Sequence, residues 1–121
     1  GCANGRLEDI AWAARIMKGK TVHRDVRCIL GPASWVVYKD AMQAGYLETL
    51  IDAGVMVVHP NCGPCTGMMG ALAPGEVCIT ATSRNFKGRM GSPEASIYLA
   101  SPATVAASAI AGHITDPREV M

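Results

Sequence analysis

The chain has 121 residues, half of them apolar, 17% charged, with a formal net charge of +1. That length is enough for one domain with its own core. The near-neutral balance gives no footing for nucleic acid, a membrane surface or a polyanionic partner, and a single Phe beside two Trp and three Tyr leaves no stacking platform for bases.

In chain order, the first element is a helix after Arg6, where Leu7, Ile10, Ala11, Ala14 and Met17 recur at spacings of three and four and Gly19 stops the pattern. Val26 to Leu30 reads as a strand closed by Gly31-Pro32. Ser34 is placed to cap a second helix running to about Ala44, ended by Gly45. A short helix follows over Tyr46 to Ala53, and Val55 to Val58 is a continuous apolar strand. Pro60 to Gly75 reads as a loop with some helical turn, Val77 to Ala81 as a strand and Ile97 to Ala100 as another. The last helix follows Ser101-Pro102, a cap with Pro at the first helical position, and a further turn starts at Asp116-Pro117.

Continuous apolar strands separated by helices predict an α/β fold: a three-layer α/β/α arrangement around a mostly parallel sheet covered on both faces. No repeat, low-complexity tract or linker divides residues 1–121, so a single domain is expected. No run of 18 apolar residues predicts a membrane span, and no signal peptide is visible. The chain opens on Gly1 with chemistry already at Cys2, so the expectation is a fragment of a larger subunit.

The five cysteines are Cys2, Cys28, Cys62, Cys65 and Cys78. An odd count without a secretion signal argues against a disulfide framework and for reduced thiols in a cytoplasmic setting. Cys28 and Cys78 sit in strand-like runs and read as small buried side chains. The other three lie in Gly-rich or Pro-rich turns. In open parallel sheets, ligands sit at the carboxyl ends of strands. Cys62 and Cys65 follow the strand Val55 to Val58, and the polar stretch Thr82 to Gly91 follows the strand Val77 to Ala81. A strand preceding Cys2 would bring all three segments to one edge.

Asn61-Cys62-Gly63-Pro64-Cys65 can turn two sulfurs toward one metal centre. The same spacing serves zinc sites, iron–sulfur clusters and dithiol redox pairs. CGPC is also the thioredoxin active-site motif, although here Asn61 replaces the usual preceding aromatic and the motif lies at mid-chain. A structural zinc on Cys2, Cys62, Cys65 and His59 is a further alternative. Gly1-Cys2-Ala3-Asn4-Gly5-Arg6 puts a cysteine at the mouth of a helix, where the dipole favours the thiolate. Thr82-Ser83-Arg84-Asn85-Phe86-Lys87-Gly88-Arg89 holds three cations within six residues. The planar forks of Arg84 and Arg89 match carboxylates, so capture of a small acid competes with a plain solvated basic loop.

Together these segments resemble the aconitase superfamily. GCANGRLED is similar to its SCTNGRxED motif, NCGPC to its Cys-x-x-Cys motif, TSRNFKGRMG to its RNFxGR motif and SPATVAASAIAGHITD to its SPAxxAAxAxxG segment. Order and interval agree, with Cys2 and Cys62 60 positions apart (62 − 2). The GR after Asn4 and APGE at 73–76 look most like the large subunits of the isopropylmalate isomerase and homoaconitase branch. The resemblance implies one [4Fe-4S] cluster held by Cys2, Cys62 and Cys65, with Arg84 and Arg89 on substrate carboxylates and Asn4 and Ser83 as polar contacts. It implies a hydro-lyase isomerising a di- or tricarboxylic hydroxy acid by dehydration and rehydration. The remainder of the large subunit and a small subunit carrying the catalytic Ser are implied partners, so this chain alone is expected to be inactive. Ser83 stands where the family often has Asn, and Ala3 where Thr is common. His59 receives no role from the resemblance and reads as structural.

Overall fold

A computed structural model describes residues 5–60, 76–81 and 96–120. Helix α1 spans Leu7–Met17, strand β1 Ile29–Leu30, helix α2 Trp35–Gln43, helix α3 Tyr46–Asp52, strand β2 Met56–Val57, strand β3 Val77–Thr80, strand β4 Ser96–Leu99 and helix α4 Pro102–Ala111, followed by a 3-10 turn at Pro117–Glu119. The α/β class with parallel strands is as expected. β1 pairs in parallel with β2 and β3 with β4.

Local chemistry explains the helix ends. The Asp9 carboxylate accepts the Arg6 backbone N–H at 3.3 Å, so α1 is closed at its start by its own third residue. Ser34 Oγ accepts the Val37 N–H at 3.2 Å at the start of α2, and Ser101 Oγ accepts the Thr104 N–H at 3.2 Å at the start of α4. Asp116 Oδ1 accepts the Arg118 N–H at 2.9 Å. The same Asp116 carboxyl is held at about 2 by the Arg118 side chain and backbone donors.

The core is helical. Ile10, Ala14 and Met17 on one face of α1, with Ile16 beside them, are all buried, as are Leu47 and Leu50 of α3 and Ala106, Ala107 and Ala109 of α4. The α4 alanines carry almost no side-chain bulk, so α1 and α4 pack closely through them. Ser108, the buried polar residue on that helix, is satisfied at both ends: its Oγ donates to the Thr104 carbonyl at 2.7 Å and accepts the Thr115 N–H at 3.0 Å.

Two expectations change. The strands are shorter than the apolar runs that signal them: Val26 to Leu30 yields only Ile29–Leu30, and Val55 to Val58 only Met56–Val57. Val26 instead closes a turn, its N–H donating to the His23 carbonyl at 2.9 Å. Secondly, every residue of the four strands is half-buried or exposed. Among the described residues, the strands thus contribute none of the fully buried core. The stretch expected as a loop over Pro60 to Gly75 lies, from residue 61, outside the described residues.

Gly112 ends α4 at φ +86°, in the left-handed region. A Cβ there would stand 2.7 Å from ring carbons of His23. His23 is fixed in place, since its N–H donates to the Ala109 carbonyl at 2.9 Å and its Nδ1 accepts the Asp25 N–H at 3.1 Å. Gly112→Ala is expected to cost about 2 kcal/mol, combining left-handed strain with the ring clash. In a His23→Ala background the cost should fall to about 1 kcal/mol, the strain alone. Urea denaturation of the four proteins of this cycle measures both values; equal costs in the two backgrounds would remove the clash from the account.

Candidate metal centre

Every residue singled out for the site, namely Cys2, Asn4, Cys62, Cys65, Ser83, Arg84 and Arg89, lies outside the described residues. The segments that lead into and out of those stretches are described, and they share one location. β1 and β2 are parallel with Leu30 level with Val57, so their carboxyl ends stand side by side. The Val58 N–H extends the ladder by donating to the Leu30 carbonyl at 2.9 Å. From there His59 and Pro60 lead directly to the segment of Cys62 and Cys65. Gly5, buried, is tied to the turn after β1: its carbonyl accepts the Ala33 N–H at 2.8 Å. The chain that carries Cys2 therefore reaches Gly5 at the carboxyl end of β1, before α1 begins.

The third segment joins the same edge. Gly31, at the end of β1, and Ala81, at the end of β3, line one cavity of about 130 Å³ together with Pro102 at the start of α4. The residues that lead into the two strands, Asp25 to Arg27 and Glu76, line a second cavity with Gly112 and His113 at the far end of α4 and are absent from the first. β1 and β3 thus point the same way. The residue after Ala81 opens the stretch holding Ser83, Arg84 and Arg89. The described flanks of all three stretches lie at the carboxyl edge of parallel strands, where this architecture holds ligands.

His59 is engaged by an aromatic neighbour. Its ring stacks on Trp35 at 6.4 Å between centroids, 13° from parallel, and Trp35 also meets Tyr38 at 5.4 Å. This supports the structural reading of His59. Trp35, 64% exposed at the first turn of α2, was not legible as part of this edge. Its only sequence signal is its place directly after the Ser34 cap. The Gly5–Ala33 bond was equally unreadable, being a backbone contact between distant residues.

The two remaining cysteines differ in character from ligands. Cys28 and Cys78 are half-buried rather than fully buried as expected. Burial pushes the Cys28 thiol up to about 11. Burial also raises Cys78, against a smaller lowering by Arg27. Both stay protonated near neutrality, so neither offers the thiolate a metal needs. Among the described residues, no group of three or more His, Cys, Asp or Glu side chains could hold a metal ion.

An α/β domain with parallel strands, whose sequence carries three turn cysteines and an arginine-rich stretch, defines a class, and comparison with known sequences agrees with it. A sequence model of the aconitase family (aconitate hydratase) matches residues 1–112, and the chain belongs to that family. Among its relatives is the 3-isopropylmalate dehydratase large subunit of Mycolicibacterium smegmatis, 58% identical over 121 residues, covering 99% of this chain and 29% of that protein. The 3-isopropylmalate dehydratase large subunit 2 of Archaeoglobus fulgidus is 56% identical over 121 residues, covering 99% and 29%. The large subunit 1 of the same enzyme from Methanopyrus kandleri is 56% identical over 118 residues, covering 97% and 28%. The chain spans 29% of the length of the first two of these relatives. Among the described residues no helix is long and apolar enough to cross a membrane.

The thiol chemistry gives a direct check. At pH 8, Cys28 of the native protein should resist iodoacetamide, and labelling should appear only on unfolding, when its pKa returns toward roughly 8.5. Mass mapping of alkylated peptides reads this out; rapid native labelling of Cys28 would mean its burial is overstated.

Proposed function

We propose that this chain is the cluster-binding part of the large subunit of a [4Fe-4S]-dependent hydro-lyase of the 3-isopropylmalate dehydratase type. The observation that carries the reading is its 58% identity, across 99% of its length, to a protein of that name. The motifs add the chemistry. Cys2, Cys62 and Cys65 supply three thiolates for the cluster, with Cys2 ahead of the α1 N-terminus, whose dipole favours the ionised sulfur. When bound, the cluster would supply Lewis acidity toward the substrate hydroxyl. Arg84 and Arg89 grip the carboxylates of the acid through paired N–H donors and fix its orientation. Asn4 and Ser83 add polar contacts beside them.

The base lies outside this chain. A small subunit bringing a catalytic Ser, and the rest of the large subunit, complete the site, which accords with the words "large subunit" in the relatives' names. 3-Isopropylmalate is the substrate those names favour, and homoaconitate presents similar paired carboxylates. The reaction belongs to leucine biosynthesis in the first case, in a cytoplasmic setting that keeps the thiols reduced. The dithiol alternative for CGPC loses its ground, because membership of the aconitase family accounts for Cys2 and the arginine loop along with the pair.

The complete large subunit, reconstituted anaerobically, should contain roughly four irons and four sulfides. Cys2→Ser should lower iron retention severely, while Cys28→Ser and Cys78→Ser leave it unchanged. Zinc without sulfide would overturn the cluster reading in favour of a structural site. In the assembled two-subunit enzyme, Arg84→Lys keeps the charge but loses the fork, and kcat/KM for 3-isopropylmalate should fall by about 100-fold or more. A change below about threefold would remove Arg84 from substrate binding.

A further inference from the structure

The turn between β1 and α2 touches two of the segments that lead to the turn cysteines. The Ala33 N–H donates to the Gly5 carbonyl at 2.8 Å. Two residues on, the Trp35 ring stacks on the His59 ring, 6.4 Å between centroids and 13° from parallel. Gly5 lies three positions after Cys2 (5 − 2), and His59 lies three positions before Cys62 (62 − 59). Residues 33–35 thus hold one tie to each segment, at the same remove from each cysteine.

The turn itself is fixed. Ser34 Oγ accepts the Val37 N–H at 3.2 Å, and the Ser34 carbonyl accepts the Tyr38 N–H at 2.9 Å, so α2 is closed at the residue before Trp35. Tyr38 meets the Trp35 ring at 5.4 Å between centroids and 56° between planes, and it packs against the core. The indole is therefore braced from within α2 and makes its second ring contact with His59. Packing of α2 does not call for Trp35. That helix reaches the core through Ala41, which is buried, and through Val37 and Tyr38, which are half-buried, whereas Trp35 is 64% exposed. Flat rings at this separation and near parallel attract one another beyond the area they cover. The stack is a contact between α2 and the chain leaving β2, separate from the core.

We propose that Trp35 is a positioning residue for the candidate metal centre. Through its stack on His59 it anchors the chain just ahead of Asn61-Cys62 to the same turn that holds Gly5, and so limits how far the Cys2 and Cys62 segments move apart. Retention of a metal centre, as the consequence, rests on the cluster reading proposed above; the anchor itself rests on the ring contact alone. Loss of one such contact shifts a local opening equilibrium by about threefold to tenfold.

The complete large subunit tests this, in cluster-free form and after anaerobic reconstitution. In the cluster-free form, Trp35→Ala should raise the iodoacetamide labelling rate of Cys62 by about threefold to tenfold, with Cys28 still protected as the sign that the strands stay folded. Trp35→Phe keeps a flat ring and should label at the wild-type rate. His59→Ala, a second route to the same loss, should match Trp35→Ala, and the double variant should be no faster than either single one, because both remove the same contact. His59→Phe keeps a ring while removing both nitrogens, and it too should label at the wild-type rate. In the reconstituted protein, a chelator should strip iron from Trp35→Ala faster by a similar factor. Equal Cys62 labelling in Trp35→Ala and wild type would overturn the proposal. So would additive effects of Trp35→Ala and His59→Ala, or a His59→Phe variant that behaves like His59→Ala, since the role of His59 would then lie in its nitrogens. Faster labelling with unchanged iron loss would overturn the positioning role. A wild-type protein that takes up no iron and sulfide would sink the cluster reading instead, and the labelling rates would still decide the anchor.

Discussion

The contact between α1 and α4 is the constraint on which the remaining structure depends. α1 brings Ile10, Ala14 and Met17 to it, and α4 brings Ala106, Ala107 and Ala109, all buried. Because alanine ends at Cβ, the two helix backbones approach closely, and the larger side chains of α1 fill the space between. α3 seals the other flank of α1 with Leu47 and Leu50. Almost all fully buried apolar surface among the described residues belongs to this helical layer. The strands are fastened to it at their edges and hold up the turns where the chemistry is expected.

That division explains which features could be read from sequence and which could not. Helix α1 was legible because its apolar period and the Gly19 stop agree. Helices α2 and α4 were legible because Ser34 and Ser101 cap them as local hydrogen-bond chemistry requires. The strands were harder. Val26 and Val55 look like strand residues by composition, but whether a residue joins a ladder depends on the partner opposite, and β1 and β2 share only two level pairs. Long-range backbone ties such as Gly5 to Ala33 leave no trace in composition or period. The site was legible in a different way: the three thiols and the arginine loop are recognised through residue types that a soluble core does not need. The geometry adds the convergence of their flanking segments.

The edge where these segments meet is built from backbone rather than from side chains. The Val58–Leu30 and Ala33–Gly5 bonds set where the chain leaves the strands. Gly31 follows directly on β1, and Pro60 is the last described residue after β2. A cluster or substrate held there would rest on loops whose roots are hydrogen-bonded to one another, and this arrangement suits a site whose ligands come from distant points in the chain. It also means that a disturbance of β1 is felt by two of the three segments at once.

The protonation of the two strand thiols has a consequence for how such a centre is assembled. With its pKa near 11, Cys28 carries the ionised form in only about one molecule in ten thousand at neutral pH. Cys78 is shifted the same way. A metal ion or thiol reagent meeting the folded protein finds these two sulfurs protonated and half-buried. Burial in the strands thus withdraws two of the five cysteines of the sequence from competition for any metal.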